Sequence, residues 1–190
     1  MALDTQLFLL LNSLAGKSAI LDGLIVFCAS YLAYILVLLF LMFVIVSVYS
    51  RREKLIILLV TGLSCIIARG GVTELIRFFY HRPRPFLTLE AHPLLTDSAW
   101  SFPSGHATFF FALATAVYLY NKQWGKLFFT GAVLVAVGRV VAGVHYPSDS
   151  IAGAFIGIVV AYLTFLIITK LLSTRTASQE PSLRPVSDTI

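Results

Sequence analysis

Three polar stretches interrupt an otherwise apolar chain: RFFYHRPRP (77–85), PSGH (103–106) and RVVAGVHYPSD (139–149). Their residue types suit phosphoryl transfer, which needs positive charge on the phosphate oxygens, a nucleophile and a proton donor for the leaving group. Arg77, Arg84 and Arg139 supply guanidinium groups that can hold oxygens in pairs. Ser104 and Gly105 stand where a helix opens, so unpaired N–H groups and the helix dipole favour an anion there, and Gly105 lets it approach the backbone. His145 precedes Asp149 by four residues, a spacing at which a carboxylate can fix one ring nitrogen and leave the other free to attack. His106 lies on a different stretch and is available for proton transfer. The spacing alone does not choose which histidine is nucleophile and which is acid.

These residues belong to a chain of 190 residues with 58% hydrophobic and 12% charged residues and a mean hydropathy of +0.90. The charged share is about half the roughly 25% of a soluble domain. Such a chain cannot hide its apolar side chains in one aqueous core, so we expect an all-α, polytopic membrane bundle. Apolar runs give five spans, over residues 22–49, 55–79, 105–120, 127–143 and 150–172. Residues 3–15 are too short to cross upright and read as an interfacial helix with Asp4 as its N-cap, a sixth, tilted span being the alternative. The organisation expected is an integral-membrane domain over 1–172 and a disordered cytoplasmic tail over 173–190, rich in Ser, Thr and Pro. The first basic residue is Lys17, the wrong charge order for a cleaved signal peptide. Cys28 and Cys65 lie inside apolar runs and read as small core residues.

Lysine and arginine mark the cytoplasmic side. Arg51, Arg52 and Lys54, then Lys122 and Lys126, then Lys170, Arg175 and Arg184 all fall on one side of a five-span chain. The three polar stretches then share the opposite face of a plasma (inner) membrane. Four arginines at that face (Arg77, Arg82, Arg84 and Arg139) run against the topological rule, and an anionic ligand accounts for them. The net charge of +5 sits in short loops rather than on a soluble patch, which argues against a nucleic-acid partner.

The three stretches resemble the motifs of the type 2 phosphatidic acid phosphatase family of membrane lipid phosphatases: Lys-x6-Arg-Pro, Pro-Ser-Gly-His and Ser-Arg-x5-His-x3-Asp. Here the first reads Arg77-x6-Arg84-Pro85, the second is intact, and the third reads Gly138-Arg139-x5-His145-x3-Asp149. The resemblance covers residues 55–170, and within the family it is most like bacterial undecaprenyl-diphosphatases of the bacitracin-resistance type. It implies a lipid phosphate substrate held at the bilayer surface, His145 as the residue that becomes phosphorylated, and His106 as proton donor and later base. Arg77, Arg84, Ser104, Gly105 and Arg139 would bind phosphate. Arginine at 77 keeps the lysine's charge. Glycine at 138 lacks a hydroxyl that in the family motif can reach phosphate or brace Arg139.

No metal and no cofactor is implied, because Glu90, Asp97 and Asp149, the outer carboxylates, are widely separated in sequence. Arg82 reads as a rim or headgroup contact, and His81 and His92 as ordinary loop residues. Glu74, three residues before Arg77, reads as a support for that arginine; Gly70 and Gly71 read as a close helix contact. Trp100 and Phe102 read as interfacial anchors, and Tyr31, Tyr34 and Phe109 to Phe111 as bundle or lipid contacts. The expected reaction is hydrolysis of undecaprenyl diphosphate, with phosphatidylglycerophosphate or phosphatidic acid as alternative substrates. In another class stands a transporter whose arginines hold an anion without cleaving it, which Arg69 and Glu74 inside a span would suit.

Overall fold

The computed structural model describes residues 3–177, and these are all-helical, without strands. Seven helices follow in order: α1 (Leu3–Asn12), α2 (Ala19–Val46), α3 (Arg51–Phe79), α4 (Pro85–Thr88), α5 (Gly105–Tyr120), α6 (Lys122–Val141) and α7 (Pro147–Ala177). Four of them, α2, α3, α6 and α7, are long and apolar enough to cross a bilayer. The fifth expected span, α5, is shorter at 16 residues, about 24 Å at 1.5 Å per residue.

Local chemistry explains where the boundaries differ from the hydropathy reading. Ser18 caps α2 three residues before the expected start, by accepting from the Leu21 amide. Ser50 and Glu53 form a reciprocal capping box, so α3 begins at Arg51 and takes in the polar residues ahead of the apolar run. Asn121 accepts from the amides of Gln123 and Trp124, and α6 therefore begins at Lys122 rather than 127. At the C-terminus α7 continues to Ala177, so residues 173–177 of the expected tail are helical. Residues 178–190 lie outside the described residues.

The short α5 is the axis of the bundle. Ten of its residues are buried, among them Ala107, Ala112, Ala114, Ala116 and Val117, and α3, α6 and α7 pack around it. Small residues let α7 come close. A Cβ on Gly153 would lie 2.6 Å from the Ser104 carbonyl oxygen, and one on Gly157 would lie 2.4 Å from that of Thr108. Van der Waals packing of this kind, rather than water exclusion, holds helices together in lipid. The outward faces of α2, α3 and α7 carry exposed Leu38, Ile45, Leu59, Phe155 and Leu163, which suits acyl chains. Gly70 and Gly71 make no close helix contact: a Cβ on either meets nothing within 4 Å. Both lie instead in a π-helical turn of α3, Ile66–Val72.

α1 has ten residues, too few to span. Phe8 is fully buried against Tyr146, and Asn12 donates to the carbonyls of His92 and Val141 while accepting from the His92 amide. At the other end of the bundle, the Tyr49 hydroxyl donates to the Tyr120 carbonyl, joining the α2–α3 and α5–α6 connections. Cys65 is buried and Cys28 half-buried, both as free thiols.

Gly157→Val should force α5 and α7 apart and destabilise the fold by about 1–3 kcal/mol. Gly62→Ala, whose Cβ meets nothing within 4 Å, should leave the melting temperature in detergent unchanged or slightly raised. Equal melting of the two variants would contradict the close α5–α7 contact.

Candidate active site

The three polar stretches meet at one end of the bundle and lock together through their backbones. Arg77, in the last turn of α3, donates through Nη2 to the Pro103 carbonyl at 3.0 Å. Arg84 donates through Nη1 to the Val144 carbonyl and through Nε to the Ala99 carbonyl, both at 2.7 Å. The Ser104 amide donates to the Asp149 carbonyl at 3.0 Å. Each stretch thus fixes another, and the guanidinium groups converge although they come from separate segments.

Burial makes this convergence costly. Arg77, Arg84 and Arg139 are 5%, 1% and 6% exposed, and like charges desolvated together repel strongly. Two carboxylates offset them: Asp97 pairs with Arg84 Nη2 at 2.8 Å and Arg139 Nη2 at 3.1 Å, and Glu74 meets Arg77 Nη1 at 3.4 Å. Burial pulls the Arg84 guanidinium down to about 10, which leaves it charged at neutral pH. For Asp97, burial acts upward, but the Ala99 amide and the two guanidinium groups outweigh it and hold the carboxyl below its usual range. Arg77 Nε and Arg139 Nε are buried donors without a hydrogen-bond partner. Asp97 therefore sits as an anion among donors that it does not saturate.

His145 is 1% exposed, and its Nε2 faces Arg84 Nη1 at 3.4 Å. Burial, reinforced by Arg84 and Arg139 and opposed by Asp149, pushes the imidazole down to about 4, so the ring is neutral at pH 7. A neutral ring with Nε2 turned toward the guanidinium groups is a competent nucleophile. Its Nδ1 lies 3.5 Å from Asp149 Oδ2, without a hydrogen bond of normal geometry. Asp149 thus stands beside Nδ1, as the four-residue spacing leads us to expect, at a separation longer than a normal hydrogen bond. Asp149 Oδ2 already accepts from Ser101 Oγ at 2.5 Å and from the Tyr146 amide at 2.9 Å, and Oδ1 accepts from Arg82 at 2.7 Å. The carboxylate is fixed first, and the imidazole rests beside it.

Arg82 is not a rim contact. Its Nη1 donates to Asp149 Oδ1 and to Ser148 Oγ, its Nη2 donates to Asp4 Oδ2, and its Cζ lies 3.8 Å from the centre of the Tyr146 ring. Asp4 does not act as the N-cap of α1. It accepts from the Ser148 amide and hydroxyl, at the opening of α7. Asp4, Arg82, Ser101 and Ser148 are the residues that motif reading missed. The available signal was an acidic residue on an otherwise apolar N-terminal segment, opposite an arginine unexplained by topology.

Ser104 caps α5 by accepting from the Ala107 amide at 3.5 Å, and its side chain is fully buried. His106, in the first turn of α5, is half-buried and lies within electrostatic range of Arg139 and His145. It lines a cleft of about 430 Å³ together with Arg139, Arg69 and Gly105, whose walls continue into apolar Ala33, Val37, Phe109 and Phe110. Gly138 has a packing role: a Cβ there would lie 2.9 Å from the Ala29 amide nitrogen. A serine does not fit without moving α2, and Asp97 supplies the brace on Arg139. Glu74 meets Arg77 Nη1 at 3.4 Å, as expected, and also pairs with Arg69. His81 packs against Trp100 with the rings tilted by 44° and is exposed, and His92 serves through its backbone. Tyr31 and Tyr34 are exposed, and Tyr34 lines the cleft.

Arg82→Ala should lower kcat by roughly 10-fold or more with little change in KM, because it frees Asp149 without touching phosphate. Asp4→Asn should give a smaller loss in the same direction. A rise in KM alone would return Arg82 to a headgroup role.

Comparison with known proteins follows the same residues. The model of the PAP2 superfamily matches residues 53–173. A Bacillus licheniformis protein named bacitracin transport permease protein BcrC is 28% identical over 89% of this chain and 82% of its own length. The undecaprenyl-diphosphatase BcrC of Bacillus subtilis is 27% identical over 86% of this chain and 83% of its own. An undecaprenyl-diphosphatase of Sulfolobus acidocaldarius is 32% identical over 86% and 78%. Among solved structures, Aquifex aeolicus LpxE superposes with a TM-score of 0.70 at 30% identity, covering 87% of this chain and 96% of that one.

Proposed function

The chain belongs to the PAP2 superfamily and is a multi-pass membrane phosphatase, and we propose that it hydrolyses undecaprenyl diphosphate to undecaprenyl phosphate through a phosphohistidine. The observation that carries this reading is the set of three buried guanidinium groups at the end of the bundle that holds His145, with Arg84 Nη1 3.4 Å from its Nε2. In the first step Nε2 attacks the terminal phosphorus, the P–O bond to the lipid phosphate breaks, and His106 gives its proton to the departing oxygen. In the second, His106 takes a proton from water, the oxygen attacks phosphorus, the P–N bond breaks and inorganic phosphate leaves. Arg77, Arg84 and Arg139 hold the equatorial oxygens, with Ser104 and Gly105 at the helix mouth beside them. Guanidinium groups do the electrostatic work that cations do elsewhere, so the reaction needs no metal.

Two features support a lipid substrate. The cleft runs from His106 and Arg139 to apolar walls on α2 and α5, which suits a tail that stays in the bilayer. The names of the Bacillus subtilis and Sulfolobus relatives point to the undecaprenyl diphosphate headgroup. Phosphatidylglycerophosphate and phosphatidic acid are the competing substrates. For orientation, Arg51, Arg52, Lys54, Lys122 and Lys126 cluster at the end away from the polar stretches, which favours an extracytoplasmic site and a cytoplasmic C-terminus.

Purified protein with excess EDTA should release inorganic phosphate from undecaprenyl diphosphate in preference to the two glycerolipids. His145→Ala should reduce release by roughly 10³-fold or more; wild-type activity in that variant would overturn the phosphohistidine. In a background with Cys28 and Cys65 replaced, Ser98→Cys should react with an impermeant thiol reagent added outside intact cells. Labelling only after lysis would reverse the orientation.

A further inference from the structure

Arg69 lies outside the three motifs, inside a span, and is 38% exposed, far more than Arg77, Arg84 or Arg139. Its position is built. The π-helical turn Ile66–Val72 carries it, and such turns in α-helices are frequent at functional sites. Its guanidinium lies against Gly105: a Cβ there would come within 2.3 Å of Arg69 Nε and 2.9 Å of Cζ. Only glycine at the mouth of α5 admits this contact. Arg69 also lines the cleft that holds His106 and Arg139, together with Ser30 and Tyr34. Glu74 holds its fork through Nη1 and steadies a side chain that would otherwise be free.

We propose that Arg69, over Gly105, forms the subsite for the second phosphate of a diphosphate substrate, the phosphate that leaves with the lipid. This rests on the diphosphatase reading above. The buried arginines surround the phosphorus under attack. Arg69 stands at the half-open lip, on the side where the cleft turns toward its apolar walls. The two substrate classes differ in what departs there. A lipid diphosphate loses a phosphate monoester that carries its own negative charge, which a guanidinium stabilises as the P–O bond breaks. A lipid monophosphate loses an alcohol oxygen, whose developing charge the proton from His106 neutralises, and no second phosphate reaches Arg69. The residue is therefore a device for preferring diphosphates.

Farnesyl diphosphate and farnesyl monophosphate share one tail and separate the two cases. With wild-type protein in detergent, both should release phosphate. Arg69→Gln should lower kcat/KM for the diphosphate by roughly 10–100-fold and for the monophosphate by no more than about threefold. Arg69→Lys should recover part of the diphosphate rate. Retained monophosphate activity shows that the variant is folded. An equal loss on both substrates, or no loss on either, would overturn the subsite and leave Arg69 as a structural partner of Glu74. A wild-type protein that cleaves only the monophosphate would instead sink the parent reading.

Discussion

The structure depends on keeping three guanidinium groups together in a poorly solvated bowl. Arg77 and Arg84 come from one polar stretch and Arg139 from another, and each is nearly buried. Left alone, their mutual repulsion would open the loops. Backbone carbonyls of Pro103, Val144 and Ala99 take some of their donors, and Asp97 balances part of the charge. The compensation is incomplete, because Arg77 Nε and Arg139 Nε have no partner. An incoming phosphate would bring both the missing charge and the missing acceptors, and under the proposed function the imbalance left in the folded protein would make the bowl select an anion.

A second constraint is the position of His145, the proposed nucleophile. Asp149 lies beside His145 Nδ1, and three donors from three segments hold its carboxylate in place. Ser101 precedes α5, the Tyr146 amide lies in the α6–α7 turn, Arg82 follows α3, and Asp4 reaches Arg82 from α1. This gives the short first helix a purpose that its length conceals. It cannot span the membrane, yet its buried Phe8 and its Asp4 and Asn12 tie the loops that carry the site. A helix that looks like an accessory to the bundle is a strut for the Asp149 carboxylate.

The parts that sequence made legible are those fixed by local pattern. Apolar run length located the spans, and motif spacing located the two histidines and three arginines at one end. Boundaries moved where a cap overrode hydropathy, as at Ser50 and Asn121. The roles that stayed hidden all depend on contacts between residues distant in the chain. Asp4 and Ser148 are 144 positions apart, and Arg82 and Asp149 are 67 apart. No periodicity encodes such a pairing. Gly70 and Gly71 misled for the related reason that a small residue permits a close contact without specifying one, and the real approaches fall at Gly153 and Gly157.

Two other glycines show how packing sets the chemistry. At Gly138 the missing side chain lets the π-turn of α2, Phe27–Tyr31, lie directly on α6. That contact brings Ser30, Ala33, Tyr34 and Val37 over the site as one wall of the cleft. At Gly105 the missing side chain lets Arg69 lie across the opening of α5 as part of the other wall. A serine at 138 would have to displace α2, and with it the wall beside Arg139. The departure from the family motif is therefore better understood as an exchange than as a loss. Without the hydroxyl the helices lie closer, and Asp97 holds Arg139 in place.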